Sequence, residues 1–451
     1  MAAFLYKKLW IINLILLTGT IVTTLGLYFC AWGNWAKFRD LRACRGDDAV
    51  IKCAWDVMVR SSSISTERQA KREHSTQVLV FTYMRAGSSL FGETFNQNND
   101  ASYWFEPLNG LYSALYGHRP GWHPLDILLK SCGKPRDLPD FESSAILDHL
   151  SNILRCNVSA LHQHVQVPYS ATRIVSKKNK AFSDCLKKAS RDHVVSDPKR
   201  SFYTETYKCL DHVIAVCSSE FRDNFDRHNA CHKNITAAQS NASEMVPPVF
   251  RAYDECLREL AENTAHCRSL LNETCETSSL VAVKVIRLHA SLVSEVMQLN
   301  PRLKVIHFLR DPRGIVLSRY SAGLLSRVAG NEVIPEAKFL CERMQYDIEV
   351  FQHLNETFPG RIMALRYEDL VQAPVLMTKK VYAFLGRKAP LDVLDWFKNS
   401  MSGMMNTGVF GTQRMDSKQT AFHWREILRE PSSSTIDYLC AKVISHLAKS
   451  T

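Results

Sequence analysis

The sequence predicts an α/β protein: a central parallel sheet flanked by helices, preceded by one transmembrane helix and interrupted by a Cys-rich helical insertion. Three observations predict it. Short apolar runs at Val78–Phe81, Leu303–Leu309 and Ile362–Leu365 each give way to a turn and then to a helical pattern, the alternation that builds parallel sheets with crossover helices. No residue from Leu9 to Ala36 is charged. The stretch from Cys156 to Cys275 carries eight cysteines and little strand pattern.

The apolar run comes first in the chain. Leu9–Trp32 exceeds the roughly 20 residues a span needs and the ~7–15-residue core of a cleaved signal peptide, and Cys30-Ala31-Trp32 is a poor cleavage site. It reads as an uncleaved signal anchor over 9–32, with a cytosolic tail at 1–8, a stem at 33–75 and the main body at 76–451. Lys7 and Lys8 precede the run while Lys37, Arg39 and Arg42 follow it, so charge does not orient it. The N-x-S/T sequons at Asn157, Asn234, Asn241, Asn272 and Asn355 all lie beyond the run and point to a lumenal body.

The 14 cysteines include no C-x-x-C pair, which argues against zinc ribbons and thioredoxin-like chemistry. Disulfides in an oxidising lumen fit better. With Cys30 in the anchor, 13 remain, so at least one thiol is free or bridges to another chain, and a homodimer stays open. Tyr203, Tyr207, Leu210, Ile214, Cys217 and Phe221 recur at helical spacing, as do Tyr253, Cys256, Leu257, Leu260 and Cys267. The expectation is a disulfide-braced helical insertion over about 156–276, its pairing open.

Lys+Arg 56 against Asp+Glu 45 gives a net charge of +11, spread along the chain without a basic block. That argues against a nucleic-acid-binding tail and suits an anionic small molecule or glycan. No D-x-D occurs, which lowers the reading as a metal-dependent glycosyltransferase, and no cluster with metal-ligand spacing stands out.

Two loops carry the chemistry. The first, Thr82-Tyr83-Met84-Arg85-Ala86-Gly87-Ser88-Ser89-Leu90, follows the Val78–Phe81 strand. A strand feeding a Gly turn and a helix turns backbone N–H groups toward an anion, and Arg85 adds a planar fork of donors. It is not a Walker loop, since G-x-x-x-x-G-K-[ST] is absent. The second, Arg310-Asp311-Pro312-Arg313-Gly314, follows Leu303–Leu309. Pro312 suits the first helical position and Asp311 the cap before it. Ser318, one turn into that helix, can offer a hydroxyl to the same anion. Each loop alone is equally readable as an ordinary strand–helix turn.

Together the two loops resemble those of the Golgi carbohydrate 6-O-sulfotransferases, whose first loop reads R-[ST]-G-S-S and whose second reads R-D-P-R-x-[IVL]-x-x-S-R. The resemblance continues through Phe95-Asn96-Gln97, Tyr103-Trp104-Phe105-Glu106-Pro107-Leu108, Lys284-Val285-Ile286-Arg287-Leu288, Arg366-Tyr367-Glu368-Asp369-Leu370, Tyr382-Ala383-Phe384-Leu385-Gly386, and Arg414-Met415-Asp416-Ser417 with Trp424-Arg425. It spans roughly 78–155 and 277–447. Ala86 departs from the usual Ser or Thr, and Leu90 stands where Phe is common.

The resemblance implies a P-loop-like sulfotransferase fold, a Golgi membrane location as a single-pass type II protein, and transfer of a sulfuryl group from 3′-phosphoadenosine 5′-phosphosulfate (PAPS) to the 6-hydroxyl of galactose, N-acetylglucosamine or N-acetylgalactosamine in a glycan or proteoglycan. No metal and no nucleic acid are implied. Arg85 with Ala86, Gly87, Ser88, Ser89 and Leu90 would hold the 5′-phosphosulfate. Arg310, Asp311, Arg313 and Ser318 would hold the 3′-phosphate, and Trp424 and Arg425 would border the donor. Lys284 and Arg287 are candidates for the acceptor or the sulfuryl group, and equally for structural pairs. Glu106 has two readings: a general base with burial-raised pKa, or a structural partner of Arg310 or Arg287. Glu368 is expected to hold an arginine and Asp369 to cap a helix. The rival to an enzyme is an inactive relative that binds a lumenal glycan or protein.

Overall fold

The computed structural model describes residues 75–108, 140–161, 177–182, 265–322, 333–400, 417–428 and 432–449, with scattered positions between them. The expected tail, anchor and stem, the middle of the insertion, and Asn234 and Asn241 lie outside the described residues. Among the described residues, no helix is long and apolar enough to cross a membrane.

Five parallel strands form the centre: β1 (Thr76–Phe81), β2 (Ala101–Phe105), β3 (Leu280–Val285), β4 (Leu303–Leu309) and β5 (Ile362–Arg366), in the spatial order β2-β3-β1-β4-β5. β1 reads as an unbroken apolar run because both its faces are covered. Val78 and Val80 enter one core cluster, and Leu79 and Phe81 the other.

Helices α1 (Ser88–Asn96), α2 (Asp140–Leu154), α3 (Ala265–Glu276), α4 (Val293–Leu299), α5 (Pro312–Ser321) and α6 (Val333–Thr357) follow in chain order, and α7 (Tyr367–Gln372), α8 (Pro374–Phe384) and α9 (Leu391–Ser400) come after β5. The last four are α10 (Ser417–Phe422), α11 (Trp424–Ile427), α12 (Ser432–Leu439) and α13 (Ala441–Lys449). One face of the sheet is covered by α1, α7, α8 and α9 through Phe91, Leu370, Val381 and Phe397. Phe91 stacks on Phe308 of β4 with ring centroids 4.5 Å apart. The other face is covered by α2, α4 and α6, whose Leu340, Met344, Ile348 and Phe351 repeat at helical spacing.

Cys156–Cys275 and Cys185–Cys267 tie α3 to the chain just after α2 and to Cys185. Cys341–Cys440 fastens α6 to the junction of α12 and α13. Asn157 and Asn355 are exposed, and Asn272 and Asn355 lie within helices.

Parallel strands deliver every β–α turn to one edge of the sheet. The chain leaves β1 toward β2 on one side, while β4 and β5 lie on the other. The first loop therefore opens at β1, where connections diverge, with the second loop on the adjacent strand.

Candidate active site

The site is built on the carboxyl ends of β1 and β4. Their parallel register pairs Phe81, the last residue of β1, with His307, so β4 runs on to Leu309 past the end of β1. Beyond β1 the backbone turns through two left-handed residues, Arg85 at φ 69° and Gly87 at φ 83°. Gly87 tolerates this, and no other residue fits: a Cβ there would lie 2.3 Å from the Tyr367 ring. Arg85, with a side chain, is held in strain of the kind that gathers at ligand sites.

Gly87 caps α1 without a side-chain hydrogen bond, and the first helical bond runs from the Phe91 N–H to the Gly87 carbonyl. The N–H groups of Ser88, Ser89 and Leu90 thus precede the helix's own ladder, where the dipole favours an anion. The Ala86 N–H is spent on the Tyr83 carbonyl at 3.1 Å, and its methyl is fully buried. Ala86 therefore serves the turn and not the anion cradle.

The second loop starts α5 as its sequence dictates. Pro312 occupies the first turn, and the Asp311 carboxylate caps the helix by accepting from the Arg313 N–H at 2.9 Å. The same carboxylate binds the Arg313 guanidinium, whose Nη1 reaches Asp437 at 2.9 Å and whose plane lies over Trp424 at 4.0 Å. Arg313 is thereby engaged on three sides by the protein. Trp424 is 8% exposed and its Nε1 has no hydrogen-bond partner, whereas Arg425 is exposed beside Phe422 and Trp424.

Arg85 joins the two loops. Its carbonyl accepts from Arg310 Nη1 at 2.9 Å, and its own Nε donates to Ser318 Oγ at 3.0 Å. Arg310 is 6% exposed, yet among the described residues its Nε has no hydrogen-bond partner. An unsatisfied buried guanidinium nitrogen is costly. Here it lies in the position of a donor awaiting an anion. Gly314 keeps that edge clear, since a Cβ there would lie 3.0 Å from Arg310 Nε.

Glu106 sits at the end of β2, two strand positions and so about 10 Å from β1. Its φ of 51° is also left-handed. β2 pairs with β3 so that Phe105 faces Lys284, and the Glu106 N–H donates to the Lys284 carbonyl at 2.8 Å. The carboxylate accepts from Lys284 Nζ at 2.6 Å and Arg287 Nη1 at 2.7 Å. Burial alone would raise its pKa, but the two cations outweigh burial and hold it at about 2. The expectation of a raised pKa is reversed, because charges from a strand distant in sequence reach both oxygens. The partners are Lys284 and Arg287, and Lys284 lies buried with Nζ over the Phe105 ring at 3.7 Å.

A model of the Sulfotransferase family matches residues 150–390, more than half of the chain. The chain belongs to the sulfotransferase family. Carbohydrate sulfotransferase 1 of Danio rerio is 26% identical over 394 residues, covering 82% of this chain and 77% of that protein. Carbohydrate sulfotransferase 2 of Mus musculus is 24% identical over 371 residues, covering 80% of this chain and 63% of that protein. Among solved structures, the sulfotransferase domain from the curacin biosynthetic pathway covers 82% of this chain and 97% of its own at 12% identity, with a TM-score of 0.39.

This sulfotransferase carries further site-supporting residues that sequence reasoning did not single out. Tyr83, two residues before Arg85, bonds His307 Nε2 through its hydroxyl at 2.9 Å. Arg343 of α6 lies over the Tyr83 ring at 5.0 Å and pairs with Asp347 at 3.5 Å. Burial pushes the His307 imidazole down to about 3, helped by His446 and Arg343, and pushes Asp347 up to about 6 against the pull of Arg343 and Tyr83. The imidazole is thus neutral at physiological pH. Arg319 of α5 donates to the Met84 carbonyl at 3.3 Å and forms a buried pair with Glu336. A buried His within the LKVIHFL strand is the visible signal. Its partners were not visible, since they lie on other elements.

Proposed function

We propose that this protein transfers the sulfuryl group of PAPS to the 6-hydroxyl of galactose, N-acetylglucosamine or N-acetylgalactosamine in a glycan or proteoglycan chain. The observation that carries the reading is the convergence at Arg85: one guanidinium bridges to Ser318, one carbonyl accepts from Arg310, and the uncapped start of α1 lies just beyond. A donor with phosphate groups at both its 5′ and 3′ ends needs two adjacent anion sites, and these two loops supply them. The similarity to proteins named carbohydrate sulfotransferases 1 and 2 supports a sugar acceptor.

In this reading Arg85 and the N–H groups of Ser88, Ser89 and Leu90 hold the 5′-phosphosulfate and take up charge as the bond from sulfur to the phosphate oxygen breaks. Arg310 and Ser318 hold the 3′-phosphate. Glu106 accepts the proton of the sugar hydroxyl as its oxygen bonds to sulfur. Lys284 and Arg287 keep that carboxylate ionised, and so a weak base while both cations grip it. An anionic sulfuryl group that draws Lys284 away raises the basicity of Glu106 when the proton moves. Cationic side chains thus provide the charge stabilisation the reaction needs.

The protein is further proposed to be held in the Golgi membrane by 9–32 with its body in the lumen. Five sequons and the disulfides of the body support this.

Sulfate transfer tests the proposal. The full chain receives sulfur-labelled PAPS and a panel of glycans ending in each of the three sugars, beside an Arg85→Ala/Arg310→Ala control. The expected result is label at O6 of one sugar class, absent in the control. Label at another position overturns the 6-hydroxyl assignment. PAP binding without transfer to any glycan favours the binding-module alternative.

A further inference from the structure

We propose that Tyr367 is a positioning residue for the second loop, presenting Arg310 to the donor with its guanidinium plane already fixed. This rests on the donor reading above and adds to it a residue from a third loop.

Tyr367 is the first residue of α7, directly after β5, and is 5% exposed. Its ring makes two contacts that bear on the loops. Arg310 Cζ lies over the ring at 4.6 Å from the centroid. On the first loop, the ring fills the space in which a Gly87 side chain would grow, with Cδ2 and Cε2 2.3 and 2.4 Å from the Cβ position. The next residue extends the same clamp, because the Glu368 carboxylate accepts from the Asp311 N–H at 3.0 Å, tying the start of the second loop to α7.

Arginine is rotamer-rich, and ordering it when a ligand arrives costs affinity. Here the ordering is complete beforehand. The Tyr367 face holds the guanidinium plane by cation–π contact, and the Arg85 carbonyl takes one Nη1 proton at 2.9 Å. Among the described residues the Nε edge has no hydrogen-bond partner, and it lies beside the clear space over Gly314. The aromatic face is the working part. The phenol oxygen has no part in either contact, so phenylalanine should serve in its place.

The test is binding of 3′-phosphoadenosine 5′-phosphate (PAP) to the full chain by titration calorimetry, with melting temperature as the check on folding. Tyr367→Phe is expected to bind PAP within about twofold of wild type, while Tyr367→Leu weakens binding about tenfold, as loss of a desolvated cation–π contact implies. In an Arg310→Ala background, the further loss on Tyr367→Leu should fall below about twofold, since the residue acts through Arg310. A general structural defect would instead cost the same factor in both backgrounds. Tyr367→Met, which also removes the aromatic face but fills the space with a flexible apolar chain, takes over the comparison if the leucine variant does not fold. PAP binding by the folded Tyr367→Leu or Tyr367→Met variant within about twofold of wild type, or an undiminished loss in the Arg310→Ala background, overturns the proposal. A wild-type chain that binds no PAP removes the donor reading and this proposal with it.

Discussion

Glu106→Gln isolates the charge cluster at the end of β2. The carboxylate has an ordinary pKa of 4.5 and is held at about 2 by Lys284 and Arg287. A depression of that size corresponds to about 3 kcal/mol of stability. Because the folded pKa is the lower one, this stability is present above pH 4.5 and drains away as pH falls toward 2. At pH 3 about 1 kcal/mol remains, so the group alone makes the wild type lose about 2 kcal/mol between pH 6 and pH 3. Glutamine keeps the shape and cannot titrate. Urea unfolding of both proteins at the two pH values, followed by tryptophan fluorescence, should therefore give a stability gap at pH 6 about 2 kcal/mol wider than at pH 3. Other carboxylates titrate in both proteins and cancel in the comparison. A gap that is equal at the two pH values would refute the argument that Lys284 and Arg287 dominate this carboxylate.

Gly87→Ala should cost at least about 2 kcal/mol, read as a lowered melting temperature, because the new methyl combines a left-handed φ with the Tyr367 ring. Arg319→Met should cost about 3–5 kcal/mol in urea by stranding the buried Glu336, and Arg319→Met/Glu336→Leu should recover most of it. Cys341→Ser/Cys440→Ser opens a crosslink with a sequence separation of 99 and should lower stability by about 4 kcal/mol, with a fall in melting temperature to match.

The elements were legible wherever the signal was local. β1 and β4 show as apolar runs ending in Gly or Pro turns, and Asp311-Pro312 spells the cap and first turn of α5. The anion loops were legible for the same reason, as each is a continuous segment. What could not be read is what strand order brings together. Glu106 meets Lys284 across 178 residues, a contact made by the register of β2 on β3, and its lowered pKa follows from that register alone. Tyr367 meets Arg310 and Gly87 because β5 lies beside β4 and β4 beside β1. The role of Ala86 turned on one backbone hydrogen bond, to Tyr83, that composition does not encode.

The central claim is that the two loops form one site for a nucleotide phosphorylated at both ends. Melting temperature with PAP, set against the same concentration of adenosine 5′-phosphate, tests it most directly. The account predicts a clear rise with PAP, little with adenosine 5′-phosphate, and no distinction between the two in Arg310→Ala. Equal stabilisation of the wild type by both nucleotides, or by neither, would contradict it.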